Sequence, residues 1–163
     1  MEIGLKRAAV LCIIDDGNSF LLLKRGKEPH INKYIPIGGK IDPFETPDQA
    51  VVREVFEETG ASTEPQLSGM LIETSPDKYN WINFIYYAKT KRFTPPICNE
   101  GVLEWIDYSE LSKIITPEID TYIYQYVIKR EFFYLDAHYD KDINLIFLKE
   151  EPSGKVLNNK IKT

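Results

Sequence analysis

Three glutamates close together in a predicted helix are the most chemically suggestive residues of the sequence. Glu54, Glu57 and Glu58 stand at positions i, i+3 and i+4 of the segment ETPDQAVVREVFEETG, residues 45 to 60. Side chains at these spacings share one helix face, where like charges repel by roughly a few tenths of a kcal/mol per pair. A divalent cation such as Mg²⁺ relieves that repulsion, because it takes oxygen ligands from carboxylates and from substrate phosphates together. The face therefore indicates a metal site for phosphate chemistry.

The same segment taken alone has a second interpretation. A solvated acidic face with Arg53 as its counter-ion also accounts for the three glutamates. The residues on either side favour the metal site instead, because they complete a longer pattern of fixed residues.

Local signals define the helix that carries the glutamates. Thr46 suits the N-cap, Pro47 suits the first helical position, and Gln49 completes a capping box. Gly60 can supply the left-handed residue that ends a helix. The apolar side of this helix, which we expect to pack on a core, consists of Ala50, Val51 and Val55, with Phe56 as a further candidate.

Residues 39 to 61 resemble the Nudix box, a pattern of Gly, five residues, Glu, seven residues, Arg-Glu, an apolar residue, any residue, Glu-Glu, any residue, Gly and an apolar residue. The matching residues are Gly39, Glu45, Arg53, Glu54, Val55, Glu57, Glu58 and Gly60. At the last position stands Ala61, where a larger aliphatic residue is more usual. With about 7% as the frequency of each of seven fixed residues, a chance match at a given start is on the order of 10⁻⁸.

The resemblance extends beyond the box, over residues 6 to 148. The stretches LLLKRGKEPHINKYIPIGGKID and EGVLEWID and the predicted C-terminal helix look like MutT-type members of the family, which hydrolyse oxidised nucleoside triphosphates. The resemblance implies a Mg²⁺-dependent enzyme, with Mn²⁺ as a substitute, that converts a nucleoside triphosphate and water to a monophosphate and pyrophosphate. An oxidised purine nucleotide such as 8-oxo-dGTP is the expected small-molecule substrate.

The resemblance also assigns roles to individual residues. Glu45 and Arg53 are expected to form a salt bridge that orients the metal-binding glutamates. The base that takes a proton from the attacking water is expected to be Glu54 or Glu100. The expected metal ligands are the Gly39 carbonyl and the carboxylates of Glu54, Glu57, Glu58 and Glu100.

Substrate-binding residues follow less directly from the pattern. Positive charge near the phosphates is expected from Lys24 and Lys40, with Arg25 beside them. The resemblance places base recognition at Asn32 and at Glu118 or Asp120. The two acids have an equal structural interpretation, since negative charge in a first helical turn complements the helix dipole. Aromatic surface for stacking is offered by Tyr79, Trp81, Phe84 and Tyr86, about half of which strand alternation should place in the core.

Hydrophobic periodicity predicts an α/β/α sandwich with a mixed β-sheet between helices. A second amphipathic helix is predicted from Glu118 to about Leu135. Residues 1–150 are expected to form one domain, followed by a mobile polar tail at 151–163. Strands are predicted at residues 8–14, 20–23, 35–37, 67–74, 81–90, 102–106 and 143–148.

Composition excludes several other classes of protein. The 163 residues include 43% hydrophobic and 28% charged residues, without a stretch long and apolar enough for a membrane span. The net charge of −5 disfavours stable binding of duplex nucleic acid. Cys12 and Cys98 lack metal-site spacing and are expected to be free thiols. A cytoplasmic monomer or homodimer is expected.

Other functions of the same residues stay open. The mechanism would also suit a nucleotide sugar, a dinucleoside polyphosphate or a capped RNA. A nucleotide sensor without catalysis is an alternative of a different class, although a pure binder does not need a self-repelling carboxylate face. Zinc catalysis is disfavoured, because His30 and His138 are the only histidines and form no cluster with cysteines.

Overall fold

The computed structural model describes residues 5–161, which form one mixed sheet between two helices. Helix α1 spans Pro47–Thr59 and α2 spans Glu118–Lys129, with a single 3-10 turn at Tyr108–Glu110. The strands are β1 Arg7–Asp15, β2 Ser19–Arg25, β3 Tyr34–Ile35, β4 Ile37–Lys40, β5 Gln66–Thr74, β6 Trp81–Lys89, β7 Gly101–Asp107, β8 Phe133–Tyr139, β9 Leu145–Glu150 and β10 Lys155–Asn159. The predicted α/β/α sandwich is confirmed.

The strand order is β10-β9-β8-β5-β6-β1-β2-β3, with β4 also paired to β1 and β7 also paired to β2. Two pairs, β1 with β6 and β5 with β8, are parallel, and the other pairs are antiparallel. The parallel pair in the middle of the sheet brings β1, β5 and β6 side by side, although 50 residues of chain separate the end of β1 from the start of β5.

Helix α1 covers one face of the sheet. In β1, Val10, Cys12 and Ile14 point to this face and are fully buried against α1 residues Ala50 and Val55. Phe56 does not join them, since it is 57% exposed, and the expectation that it lines the core is wrong. Its position on the helix turns the ring outward, away from the stripe formed by the buried residues.

Helix α2 covers the opposite face of the sheet. Ile13 of β1 and Phe20 of β2 point to it and pack with Ile119, Ile123 and Val127 of the helix. Because both faces of β1 and β2 are buried, their sequences read as continuous apolar runs rather than alternating ones.

The predicted caps of α1 are present. The Gln49 backbone N–H donates to Thr46 Oγ1 at 3.2 Å, and the Thr46 backbone N–H donates to Gln49 Oε1 at 2.9 Å. Gly60 ends the helix with φ 70°, and its N–H donates to the Phe56 carbonyl at 2.8 Å. Local side-chain chemistry therefore positions both ends of the helix that carries the glutamates.

The second helix is shorter than predicted. It ends at Lys129, and Arg130 adopts a left-handed conformation with φ 58°. Phe133 then begins β8, in which buried residues alternate with more exposed ones. Phe133 and Leu135 fit the three- and four-residue spacing of the helix by coincidence, which is why the periodicity extended the prediction too far.

The prediction of a mobile tail is wrong for the described part of residues 151–163. Residues 155–159 form β10, an antiparallel edge strand on β9. Lys160 Nζ lies 2.7 Å from Glu118 Oε2, and Asn158 Nδ2 donates to Glu118 Oε1 at 2.8 Å. Only Val156 and Leu157 of this strand are apolar, and Leu157 alone packs against the core, so no alternating pattern revealed the strand. Residues 162 and 163 lie outside the described part.

Smaller differences have local causes. Pro36 divides the predicted strand at 35–37 into β3 and β4, since proline lacks an N–H for the ladder. The last predicted strand begins at Leu145 rather than Ile143, because Ile143 has φ 63° in a turn closed by Asp140.

Cys12 and Cys98 are free thiols, as expected. Neither described helix is both long and apolar enough to cross a membrane.

The capping box of α1 should contribute measurably to stability. We expect Thr46→Ala to lower the free energy of unfolding by about 1 kcal/mol, because the Gln49 N–H loses its acceptor. Thr46→Ser keeps the hydroxyl and should stay within about 0.5 kcal/mol of the parent. Urea denaturation followed by circular dichroism measures both, and an unchanged midpoint for Thr46→Ala would show that the box makes no net contribution.

Candidate active site

The strand β4 separates the two parts of the candidate site. On one side, α1 brings its acidic residues against Gly39, and on the other side Gly38, Gly39 and Lys40 line a cavity of about 410 Å³ beneath the start of α2. The acidic side chains of α1, called the acidic cluster below, and the cavity therefore lie on opposite sides of the same short strand, β4.

Arg53 organises the acidic cluster. Its Nε and Nη2 atoms lie 2.5 and 2.9 Å from the two carboxylate oxygens of Glu45, which makes a bidentate ion pair. Its Nη1 donates to Glu54 Oε1 at 2.7 Å, and its Nη2 donates to the Lys40 carbonyl at 3.1 Å. Hydrogen bonding from Arg53 lowers the pKa of Glu45 to about 2. The expected ion pair of Glu45 and Arg53 is thus present, and its role in orienting metal ligands stays a prediction.

Glu54 lies directly against the backbone of Gly39. A Cβ atom at position 39 would be 2.5 Å from the Glu54 carboxyl carbon, so no other residue fits there without displacing the carboxylate. Burial raises the pKa of Glu54, and the hydrogen bond from Arg53 offsets part of that rise. The glycine that begins the Nudix-box pattern is therefore required by a side chain fifteen positions later.

Glu58 has a buried oxygen without a partner. Its Oε2 atom is sealed from solvent and receives no hydrogen bond. Burial first, and then the charges of Glu54 and Glu100, raise the pKa of Glu58 to about 8. Arg25 offsets part of this rise, yet a buried carboxylate oxygen without a donor is costly, the more so near two other acids.

Glu57 is the most exposed of the three helix glutamates, with 57% of its side chain accessible and its nearest cation, Arg53 Nη1, at 3.3 Å. In residues 5–161, no three His, Cys, Asp or Glu side chains are gathered so that they could hold a metal ion as they stand. The three glutamates share a helix face, as predicted, but their carboxylates do not converge on one point.

Glu100 reaches the cluster from a distant part of the chain. Its backbone carbonyl accepts the Gly26 N–H at 2.9 Å, which holds the start of β7 beside the end of β2. Its carboxylate pairs with Lys27 Nζ at 3.0 Å and is close enough to Glu58 to raise the pKa of that group. The structure thus brings together Glu58 and Glu100, as the sequence prediction required.

The cavity on the other side of β4 has a mixed lining. Lys40 lies next to the box, Arg25 also lines the cavity, and the Arg7 guanidinium lies 5.8 Å from the ring centre of Trp81. The apolar, aromatic and other polar lining residues include Leu71, Glu73, Tyr79, Trp81, Asn83, Pro117, Ile119 and Asp120. This distribution suits a ligand with an anionic part and an uncharged ring.

The structure distinguishes among the predicted substrate-binding residues. Asp120 lines the cavity, whereas Glu118 lies at the surface and pairs with Lys160. The cavity walls include Lys40 but neither Lys24 nor Asn32, both of which are exposed. Lys24 places its Nζ 5.8 Å from the ring centre of Tyr34, outside the cavity.

Asp120 is 5% exposed, and burial, together with the nearby charge of Glu73, raises its pKa well above the ordinary range. His30, which also lines the cavity, is neutral at pH 7, since burial and two neighbouring cations lower its pKa to about 4. Burial therefore shifts both groups toward their uncharged forms.

Two polar residues of the cavity were missed by the sequence analysis. Glu73 and Asn83 are each 4% exposed, and Asn83 Nδ2 donates to Glu73 Oε2 at 2.7 Å. The available signal was a charged or amide residue inside a strand of otherwise buried pattern. Among the aromatic candidates, Tyr79 and Trp81 line the cavity, while Phe84 and Tyr86 belong to the α1 face.

Comparison with known proteins agrees with this arrangement. A family model described as the NUDIX domain matches residues 5–132. An ADP-ribose pyrophosphatase of Methanocaldococcus jannaschii is 39% identical over 71 residues, 43% of this chain, and an 8-oxo-dGTP diphosphatase of Escherichia coli is 45% identical over 53 residues, 32% of this chain. Each alignment covers only 41% of the relative's length.

Similarity of structure extends over more of the chain. The crystal structure of the mutator MutT protein from Bacillus halodurans has a TM-score of 0.80 and 25% sequence identity to this protein, and the match covers 90% of this chain and 98% of that one. The family match spans most of the chain and includes both the acidic cluster and the cavity residues up to Asp120. The chain therefore belongs to the NUDIX family and has the fold of its MutT-type members.

Proposed function

We propose that this protein is a Mg²⁺-dependent pyrophosphohydrolase that converts a nucleoside triphosphate and water to a nucleoside monophosphate and pyrophosphate. The observation that carries the proposal is the buried, unpartnered oxygen of Glu58 beside Glu54 and Glu100. A cluster of acids with an unpartnered buried oxygen, separated by one strand from a cavity lined by cationic, aromatic and polar residues, fits a metal-bound phosphate chain attached to a nucleobase.

The donor set fits Mg²⁺ or Mn²⁺, since all its atoms are hard oxygens. Glu57 would have to leave Arg53 to join the others, which its exposure permits. When bound, the ion would neutralise phosphate charge and lower the pKa of a water molecule. The residues proposed to hold it are Glu54, Glu57 and Glu58, with the Gly39 carbonyl and Glu100.

The chain's own residues would position the reactants. Arg53 keeps Glu45 and Glu54 in place, and Arg25 and Lys40 attract the phosphates to the end of the cavity next to β4. Attack of the water oxygen on the α phosphorus breaks its bond to the α–β bridging oxygen and expels pyrophosphate. Attack on the β phosphorus breaks the bond from that phosphorus to the same oxygen and expels the monophosphate. The proton released by the water passes to Glu54 or Glu100.

The aromatic and polar residues of the cavity would bind the base. Burial raises the pKa of Asp120 and so favours its carboxylic acid form, which can donate one hydrogen bond and accept another at the edge of a purine. We favour an oxidised purine such as 8-oxo-dGTP as the substrate, which the E. coli relative named for that activity supports. ADP-ribose is the second candidate, because the M. jannaschii relative is named for it and aligns over a longer segment.

Pyrophosphate, orthophosphate and nucleotide release from a substrate panel tests the proposal. The panel contains dGTP, 8-oxo-dGTP, ADP-ribose and a diadenosine polyphosphate, each with and without Mg²⁺. We expect Mg²⁺-dependent pyrophosphate release with the highest kcat/KM for 8-oxo-dGTP. Faster cleavage of ADP-ribose would select the second candidate, and an inert panel in the presence of Mg²⁺ would favour a nucleotide sensor.

Substitution of Glu58 should remove turnover without unfolding the protein. We expect Glu58→Gln to lower kcat at least about 100-fold, because the metal loses an anionic ligand. Glu64→Gln, an exposed acid outside the site, is the matched control and should retain parental activity. Parental activity of Glu58→Gln would remove the central observation from the proposal.

The same variant should be more stable than the parent in metal-free buffer at alkaline pH. The folded-state pKa of Glu58, about 8, lies above its ordinary value of 4.5, so the parent loses stability as pH rises between these values. Glu58→Gln does not ionise and should melt a few degrees higher at pH 8 in EDTA, with a smaller difference at pH 5. A melting-temperature difference that is independent of pH would contradict this assignment.

Asp120 should affect substrate binding rather than the chemical step. We expect Asp120→Ala to raise KM for the preferred purine triphosphate about tenfold with little change in kcat, and Asp120→Asn to have a smaller effect because an amide keeps a donor and an acceptor. Glu118→Gln, on the same helix turn but outside the cavity, is the control. Equal KM values for all three variants would exclude Asp120 from base recognition.

A further inference from the structure

We propose that Asn83 hydrogen-bonds the nucleobase, and that Glu73 is the positioning residue that sets the orientation of its amide. The inference rests on the proposed function in one respect, namely that a purine nucleotide occupies the cavity. It assigns a specificity-determining role to two residues that lie outside the Nudix box and outside α2.

Strand register places Asn83 in the floor of the cavity. It lies on β6 directly between Ala9 of β1 and Leu71 of β5, and all three residues line the cavity. The methyl group of Ala9 is short, so the neighbouring amide is not covered from that side. A ligand beneath α2 would therefore meet the Asn83 amide at the bottom of the cavity.

The partner of Asn83 determines which way its amide points. Glu73 Oε2 accepts a hydrogen bond from Asn83 Nδ2 at 2.7 Å. In this bond the Asn83 nitrogen faces Glu73, and the carbonyl oxygen Oδ1 faces elsewhere. In the part of the chain that the structure describes, Oδ1 receives no hydrogen bond, yet it is not among the atoms sealed from solvent. It is thus available to a ligand in the cavity.

Glu73 is itself held firmly from two other elements. Tyr139 of β8 donates to its Oε1 atom at 2.7 Å, and the hydroxyl of Tyr79 lies 3.5 Å from the same oxygen. With its oxygens occupied by protein donors, Glu73 is suited to hold Asn83 rather than to contact the ligand. Burying a carboxylate that is bonded to neither a metal nor a cationic side chain costs free energy. A purely structural link between strands does not need such a group, which argues for a role in the site.

The surroundings of Asn83 complete a site for an uncharged ring. Asp120 contributes a second polar group, and Trp81 lies two residues along β6 on the same face. Purine edges carry both donors and acceptors, so two polar groups can contact one base. The cationic residues Arg25 and Lys40 line the part of the cavity next to the box, which orients the phosphates toward the acidic cluster.

Product binding tests the inference without requiring turnover. The probes are dGMP and deoxyribose 5-phosphate, which lacks a base, and Trp81 in the cavity wall provides a fluorescence signal. We expect Asn83→Ala to weaken binding of dGMP about tenfold and to leave binding of deoxyribose 5-phosphate unchanged. Gln125→Ala, an exposed amide on α2, is the matched control and should bind both probes as the parent does.

A second variant separates positioning from a structural role. In Glu73→Gln the new amide nitrogen can donate to Asn83 Oδ1, so the Asn83 amide can also bond in the reversed orientation. We expect it to change the ratio of KM for dGTP to KM for dATP by about tenfold, while kcat stays within about threefold. When Glu73→Gln is added to the Asn83→Ala variant, the ratio of KM for dGTP to KM for dATP should not change further, since residue 83 no longer has an amide to reorient.

The outcomes distinguish this inference from the proposed hydrolysis. If Asn83→Ala and Glu73→Gln both bind dGMP as tightly as the parent, or if the parent binds dGMP no more tightly than deoxyribose 5-phosphate, the inference fails whatever the enzyme activity. If the parent hydrolyses no triphosphate but Asn83→Ala still loses dGMP selectively, the inference stands and the proposed hydrolysis fails. Should Asn83→Ala not fold, the KM ratio of Glu73→Gln decides, and an unchanged ratio overturns the inference.

Discussion

The close approach of β4 to its neighbours is the constraint on which the whole candidate site depends. A Cβ atom at Gly38 would lie 2.0 Å from the Val10 carbonyl oxygen, and one at Gly39 would lie 2.5 Å from the carboxyl carbon of Glu54. Two residues without side chains therefore allow one strand to pair with β1, to support α1 and to line the cavity. A larger residue at Gly38 would collide with the backbone of β1, and one at Gly39 would displace the Glu54 carboxylate.

The two halves of the site differ in how their buried charges are compensated. Around Arg53, cation and carboxylates neutralise one another, which stabilises the support of the acidic cluster. Glu58 has no such partner, and its unsatisfied oxygen destabilises the metal-free protein. In the cavity, burial raises the pKa of Asp120 and so favours its uncharged form. The same fold thus offers one place for a cation and another for a neutral ring.

Some helices and strands were predictable from interactions between neighbouring residues, and others were not. The bounds of α1 follow from Thr46, Gln49 and Gly60, because capping involves residues within one turn. The end of α2 was misjudged because Arg130, rather than glycine, adopts the left-handed conformation that ends it. Strand β10 was missed because an exposed edge needs no apolar face, and its contacts through Lys160 to Glu118 join residues 42 positions apart.

The sequence by itself determined the family, the helix that carries Glu54, Glu57 and Glu58, and the layered fold, because spacing, caps and hydrophobic periodicity are properties of neighbouring residues. It also identified Glu100 and Asp120 as candidates, through resemblance to related proteins. Only the tertiary structure decided that Asp120 rather than Glu118 lines the cavity, and that Glu73 and Asn83 join it there. The physical reason is strand register: alternation shows that a residue faces one side of a sheet, but only the pairing of β1, β5 and β6 determines which side chains meet.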